Sequence, residues 1–207
     1  VARRIGEGER LVRNKEWSGW CPTHMLSTKV TGKKLGFIGF GRIAQAVAQK
    51  AHFGFGMQIS FYDPYPPSDE IVKKFSATKF NVLEDVLKDS DFVTLHCPGG
   101  GENTNLLNND RFALMKNSAF LINTARGDVV DENALVQALK NNVIAGAGLD
   151  VYAKEPTVTE ELLGMDNVVL IPHLGSATTE TRVAMGLRSL ENVKAFFDGK
   201  EPGDRVA

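Results

Sequence analysis

Cysteine is nearly absent: the chain holds two, Cys21 and Cys97, far apart and in no metal-ligand spacing. Neither a disulfide framework nor a cysteine-based zinc site is therefore expected, and no other metal site is read from the sequence. A surplus of positive charge is also lacking, with 24 Lys plus Arg against 25 Asp plus Glu and a formal net charge of −1 at pH 7. That balance argues against a nucleic-acid or membrane-surface binder, both of which need an excess of basic groups. No apolar run approaches the roughly 18 residues that span a bilayer. No apolar segment follows Val1-Ala2-Arg3-Arg4 to form a signal peptide. Internal repeats, low-complexity stretches and long linkers are missing too. The 207 residues are 43% hydrophobic and 24% charged, which suits one generous folded domain better than disorder or a coiled coil. The expectation is a soluble, cytoplasmic protein.

Val1 to about Lys15 reads as a helix already under way, with no initiating Met and no N-cap residue. From Gly32 the chain alternates short apolar strands with amphipathic helices. Strands are expected at Leu35–Phe40, Met57–Tyr62, Thr78–Phe80, Phe92–His96, Ala119–Asn123, Val143–Asp150 and Val168–Ile171. Helices are expected at Arg42–His52, Asp69–Phe75, Leu83–Lys88, Glu132–Lys140 and Thr178–Phe197. Near-continuously apolar strands between amphipathic helices indicate a parallel sheet covered on both faces, a doubly wound α/β fold.

Gly39-Phe-Gly41-Arg-Ile-Ala44 lies between the first strand and the first Ala-rich helix. Gly39 suits a tight turn, Gly41 lets the backbone approach a pyrophosphate, and Ala44 allows close helix–strand packing. The helix that follows aims its free N–H groups and positive dipole end at the phosphates. At the end of the second strand stands Asp63, placed to accept hydrogen bonds from the adenosine ribose and to repel a 2′-phosphate. This pattern predicts NAD rather than NADP. The competing reading of Asp63 is a turn residue before Pro64.

Three later segments place polar groups just beyond strands: Asn123-Thr-Ala-Arg126-Gly-Asp-Val-Val-Asp-Glu132, Asp150-Val-Tyr-Ala-Lys-Glu155-Pro156 and Pro172-His173-Leu-Gly-Ser176. Ligands in open α/β sheets bind at that edge. Taken singly, Arg126 could pair with Asp128 or Asp131, and Glu155 and His173 could be loop residues. Taken together beside a dinucleotide loop, an Arg, a Glu and a His form a coherent chemical set. The remaining histidines, His24, His52 and His96, read as structural, and Trp17 and Trp20 as packing residues.

These stretches resemble the NAD-dependent D-isomer-specific 2-hydroxyacid dehydrogenases, over nearly the whole chain from Ala2-Arg-Arg-Ile5 to Gly199. Gly19-Trp20-Cys-Pro-Thr23 and Leu95-His-Cys-Pro98 are nearest in tone to the glyoxylate and hydroxypyruvate reductase-like members. The resemblance implies a Rossmann-type NAD-binding domain over residues 31–176. Residues 1–30 would be an inter-domain helix and lead-in, and residues 177–207 a return helix and tail. It implies that Arg126 grips the carboxylate and carbonyl oxygen of a small 2-oxo acid. His173 would exchange the proton of the hydroxyl group, and Glu155 would orient His173. By the same resemblance Arg42 and Ile43 meet the pyrophosphate, Asp150 lies near the nicotinamide carboxamide, and Cys97, Pro98, Thr104, Thr124 and Ala125 line the cofactor cleft.

The sequence departs from that family in two places. Most of the substrate-binding domain has no counterpart, so the expectation is an N-terminally truncated fragment that binds NAD(H) and reduces 2-oxo acids poorly. Gly99-Gly-Gly101 makes the loop after Pro98 more flexible than in many relatives. A homodimer is also expected, with Leu187, Leu190, Val193 and Phe197 forming an apolar stripe on the last helix. An NAD-sensing module of co-repressor type is the alternative. A methyltransferase using S-adenosylmethionine ranks last, having no use for the Arg–Glu–His set.

Overall fold

Short runs of Phe, Ile, Val and Leu, each closed by a polar turn, are seated as parallel strands because helices bury them from both sides. The computed structural model describes residues 1–205; the end of the expected tail, Val206 and Ala207, lies outside the described residues. The elements run α1 (Ile5–Arg13), β1 (Lys34–Ile38), α2 (Arg42–Phe55), β2 (Gln58–Tyr62), α3 (Asp69–Lys74), β3 (Thr78–Lys79), α4 (Leu83–Asp89) and β4 (Phe92–Leu95). They continue with α5 (Asn109–Phe112), β5 (Phe120–Asn123), α6 (Glu132–Lys140), β6 (Gly146–Leu149), α7 (Glu160–Leu163), β7 (Val168–Leu170) and α8 (Thr179–Phe197).

All seven strands pair in parallel in the order β3-β2-β1-β4-β5-β6-β7. The chain winds outward from β1 to β3 and then returns to the other side of β1. The junction of β1 and β4 is thus the topological switch point, where such sheets open a crevice at their C-terminal edge. Phe37 and Ile38, neighbours in β1, belong to different core clusters because successive strand side chains point to opposite faces. One cluster is aromatic, with the Phe40 ring stacked on Phe61 at 4.4 Å and meeting Phe75 edge-on at 6.1 Å. The other is aliphatic, with Leu87, Leu95, Leu121 and Leu135 fully buried. Each such side chain stabilises the fold by roughly 1.5–3 kcal/mol.

At the N-terminal edge, charged groups tie three strand starts together. Asp91 accepts hydrogen bonds from the Lys34 backbone N–H at 3.0 Å and from Lys116 Nζ at 2.8 Å. Lys34 Nζ in turn pairs with Asp89 at 2.5 Å. Burial pushes the Asp91 carboxyl up, but the Lys116 ammonium and the Lys34 N–H outweigh it and hold the group below its ordinary value. A carboxylate depressed in the folded state adds stability above its unfolded value, near 3.9, and loses it as pH falls through the folded value. Urea titrations of Asp91→Asn should accordingly show about 1–2 kcal/mol lost at pH 7. The difference from wild type should shrink below about pH 4.

The described residues divide into two units, Val1–Pro172 and the stretch that starts at His173. The second consists of a short lead-in, α8 and its tail, with Thr178 capping the helix by accepting from the Thr181 N–H at 3.2 Å. Arg188 bridges Asp204 at 2.5 Å. No residue of α8 is buried, and the stripe of Leu187, Leu190, Val193 and Phe197 is 53–81% exposed. No helix among the described residues is long and apolar enough to cross a membrane.

Several expectations need correction, among them the strand expected at Val143–Asp150, which is confined to Gly146–Leu149. The first helix starts at Ile5 rather than Val1, because Arg4 adopts a left-handed conformation with φ 52° after a turn closed by its N–H on the Val1 carbonyl. Trp17 and Trp20 are 54% and 81% exposed instead of packed. Helices α5 and α7, of four residues each, escape periodicity because one turn shows no period.

Candidate active site

The glycine turn after β1 is set by close backbone approach. A Cβ on Gly39, whose φ is +86°, would lie 2.8 Å from the His96 carbonyl carbon and 2.9 Å from the Cys97 nitrogen. Only glycine accepts both that contact and that backbone angle. The turn therefore abuts the loop that follows β4, across the switch point. Gly41 is the opposite case: a Cβ there meets nothing within 4 Å. It is the N-cap of the 14-residue α2 and, as a glycine, brings no capping side chain. Open space at the N-terminal end of a helix, where N–H groups lack intrahelical acceptors, fits a dinucleotide pyrophosphate. Ala44, Ala48 and Ala51 seat α2 in the core, whereas Ala46 faces outward. Arg42 and Ile43 are exposed at the first turn.

Asp63 ends β2 and reaches back to that turn. One carboxylate oxygen accepts the Phe40 N–H at 2.6 Å and the other the Tyr65 N–H at 2.8 Å. The residue is half-buried, and its oxygens retain lone pairs for ribose hydroxyls.

Beyond β4, the His96 ring packs at a tilt against Phe37 at 5.5 Å and its Nε2 lies 3.0 Å from Thr94 Oγ1. Burial pushes its imidazole down to about 4, so it is neutral at physiological pH. The half-buried Cys97 thiol is pushed up to about 11, chiefly by burial, with the Asp128 and Asp63 charges adding to the effect. A thiol so raised is protonated at pH 7 and is a poor nucleophile. Pro98 and Thr104 are exposed on the same loop.

The turn after β5 is built by Asn123, which is 1% exposed. Its Nδ2 donates to the Arg126 carbonyl at 2.9 Å, its Oδ1 accepts the Ala125 N–H at 3.0 Å, and its own carbonyl accepts the Asp150 N–H at 2.9 Å. Thr124 and the Arg126 side chain are exposed, and Arg126 Nη1 donates to the Ala125 carbonyl at 2.7 Å. Gly127 then presses on the loop after β6, where an added Cβ would lie 1.9 Å from the Tyr152 carbonyl carbon. That loop carries buried Asp150 at its start and exposed Glu155 at its end. Glu155 Oε1 accepts the Tyr152 N–H at 3.1 Å. Glu132, from the start of α6, accepts the Ala153 N–H at 2.8 Å and the Thr159 hydroxyl. Tyr152 anchors the loop from beneath by donating to the Ile171 carbonyl at 3.0 Å.

The structure thus brings the Arg126 turn and the Glu155 loop into direct contact, on the sheet edge that also carries Gly39, Gly41, Asp63 and Cys97. His173 opens the second unit, in a left-handed conformation with φ 52°. Asn123, Gly127, Glu132 and Tyr152 were missed as builders of the site. The Arg-Gly step and the Asn at a strand end were the available signals, since glycine marks close approach and Asn closes turns. Among the described residues no cluster of three His, Cys, Asp or Glu side chains could hold a metal ion.

Residues 1–175 match the family described as D-isomer specific 2-hydroxyacid dehydrogenase, NAD binding domain. The chain is 47% identical over 206 residues to the glyoxylate reductase of Pyrococcus horikoshii, covering 98% of this chain and 61% of that protein. It therefore spans about three fifths of the length of the curated relatives it matches. A solved 2-hydroxyacid dehydrogenase from Polaromonas superposes on all of the chain and 64% of its own, with a TM-score of 0.93 and 36% identity. An NADPH-dependent glyoxylate/hydroxypyruvate reductase from Sinorhizobium meliloti does so over all of this chain and 63% of its own, with a TM-score of 0.88 and 35% identity. Family match, sheet order and glycine turn agree, and the chain belongs to the D-isomer specific 2-hydroxyacid dehydrogenases, whose NAD-binding domain it contains.

Proposed function

We infer that the protein works as an NAD-dependent oxidoreductase interconverting a small 2-oxo acid and its D-2-hydroxy acid, with glyoxylate and hydroxypyruvate as the substrates to try first. The observation that carries this reading is the Arg126 turn, wedged between the cofactor side of the sheet edge and the Glu155 loop through Gly127. NAD(H), when bound, supplies the hydride. Gly41 and the first N–H groups of α2 hold its pyrophosphate, Asp63 its adenosine ribose, and Cys97, Pro98, Thr104, Thr124, Ala125 and Asp150 the remaining wall. Arg126 takes the substrate carboxylate in a planar two-point grip that a lysine would not reproduce. His173 is assigned the proton transfer to the developing alkoxide, and Glu155 a supporting role in that transfer. Residues 31–176 form the dinucleotide-binding part, with 1–30 as lead-in and 177–207 as return helix and tail. A cytoplasmic homodimer completes the reading, supported by the exposed apolar stripe on α8.

Fluorescence titration should show saturable NADH binding, at least about tenfold tighter than NADPH, because the Asp63 carboxylate repels a 2′-phosphate. Turnover of glyoxylate by the 207-residue polypeptide should be slow, since Arg126 and Glu155 are exposed and water is not excluded from them. In single-turnover NADH oxidation, Arg126→Ala and His173→Ala should each remove at least roughly 10²-fold of the rate. A rate indifferent to both substitutions would leave a nucleotide-sensing module instead.

A further inference from the structure

The loop from Gly99 to Thr104 has little of its own to hold it. A Cβ at Gly100 or Gly101 meets nothing within 4 Å, and both residues have positive φ, +75° and +54°. The hydrogen bonds from Asn103 N–H to the Gly100 carbonyl, from Thr104 N–H to the Gly101 carbonyl and from Asn103 Nδ2 to the Pro98 carbonyl run between residues of the same stretch. A chain so rich in glycine loses more conformational entropy on ordering than any other. Something outside the loop must fix it.

That fixture is Asp128, in the tight turn just after Arg126. Its Oδ2 accepts the Gly100 N–H at 2.7 Å, and its backbone carbonyl accepts the Asn105 N–H at 2.8 Å. The fit leaves no room for a side chain at Gly99: an added Cβ would lie 2.5 Å from Asp128 Oδ1 and 2.9 Å from Arg126 Cβ. On its other flank, the same stretch of chain starts at His96 and Cys97 against Gly39. It is therefore clamped between the glycine turn after β1 and the arginine turn after β5.

We propose that Asp128 is a positioning residue whose carboxylate fastens the glycine loop to the Arg126 turn, so that the cofactor-side wall and the acid-gripping turn form one piece. The inference rests on the functional reading above. It assigns Gly99 and the aspartate a joint role: the chain seats against Arg126 because Gly99 has no side chain, and the carboxylate holds the next residue in place through the Gly100 N–H.

The test compares Asp128→Ala, Asp128→Asn and Gly99→Ala with wild type by amide hydrogen exchange and NADH titration. In Asp128→Ala, exchange at Gly100 and its neighbours should rise by at least roughly tenfold, with β4 and β5 amides unchanged, and NADH should bind roughly tenfold more weakly. Asp128→Asn keeps an acceptor oxygen and should recover most of both effects. Gly99→Ala should weaken NADH binding similarly, and its effect should be less than additive with Asp128→Ala because both break one contact. Wild-type NADH binding with an unchanged loop and affinity in Asp128→Ala overturns this inference alone. So does faster exchange without weaker binding, or a failed Asn rescue. A wild-type chain that binds no NADH overturns the functional reading and this inference with it.

Discussion

Gly127→Ala is expected to be the most destabilising single methyl that can be added to this edge of the sheet. The new Cβ would sit 1.9 Å from the Tyr152 carbonyl carbon, 2.1 Å from its oxygen and 2.4 Å from the Ala153 nitrogen. These are backbone atoms, so no rotamer change relieves the clash and one of two packed turns must move. Overpacking typically costs about 1–3 kcal/mol, and a clash against backbone atoms belongs at the upper end of that range. The Ala153 N–H is also held by Glu132, and Tyr152 by the Ile171 carbonyl, so yielding at that loop would strain bonds on both sides. Urea denaturation should report the loss as a lower midpoint with an unchanged slope. A midpoint within error of wild type would mean that the two turns are not in contact in solution.

Gly41→Ala adds the same methyl with the reverse outcome. The backbone angles there, φ −73° and ψ −169°, suit alanine, and nothing lies within 4 Å of the new carbon. Stability should fall by no more than about 1 kcal/mol, the cost of a poorer helix cap. NADH affinity should fall by roughly 10²-fold, because the methyl takes space needed by the pyrophosphate and holds it off the α2 N–H groups. Paired thermal melts and fluorescence titrations would check both halves. Unchanged NADH affinity in Gly41→Ala would remove the pyrophosphate from this turn. Two glycines on the same edge of the sheet thus separate folding from binding.

Much of this was legible in the sequence for physical reasons. Apolar strands that need covering on both faces announce a parallel sheet, and helix α6 spans the expected Glu132–Lys140; its cap is Asp131, which was weighed before only as a partner for Arg126 and accepts the Asn133 and Ala134 N–H groups at 3.0 and 3.1 Å. Gly39, Gly41 and Asp63 were readable because a pyrophosphate and a ribose make demands few residues satisfy. What escaped notice lies in tertiary contact. Asn123 looks like the polar end of a strand, yet it sets the shape of the arginine turn. Glu132 looks like an acidic first turn of a helix, yet its carboxylate supports a different loop, 21 residues away at Ala153. Asp128 was weighed as a partner for the Arg126 guanidinium, whereas the structure gives its carboxylate to the Gly100 N–H. Trp17 and Trp20 misled because a large apolar side chain promises burial, and sequence does not say against what.

The two bonds made by Asp63 bear on how this protein could change its diet of nucleotides. The group that would repel a 2′-phosphate is also the brace beneath Phe40 at the crown of the glycine turn. Removing the charge to welcome the phosphorylated coenzyme removes the brace in the same stroke. Charge and brace therefore cannot be exchanged separately at this position: a variant that removes the acid keeps the glycine turn supported only if it also supplies a new acceptor for the Phe40 N–H.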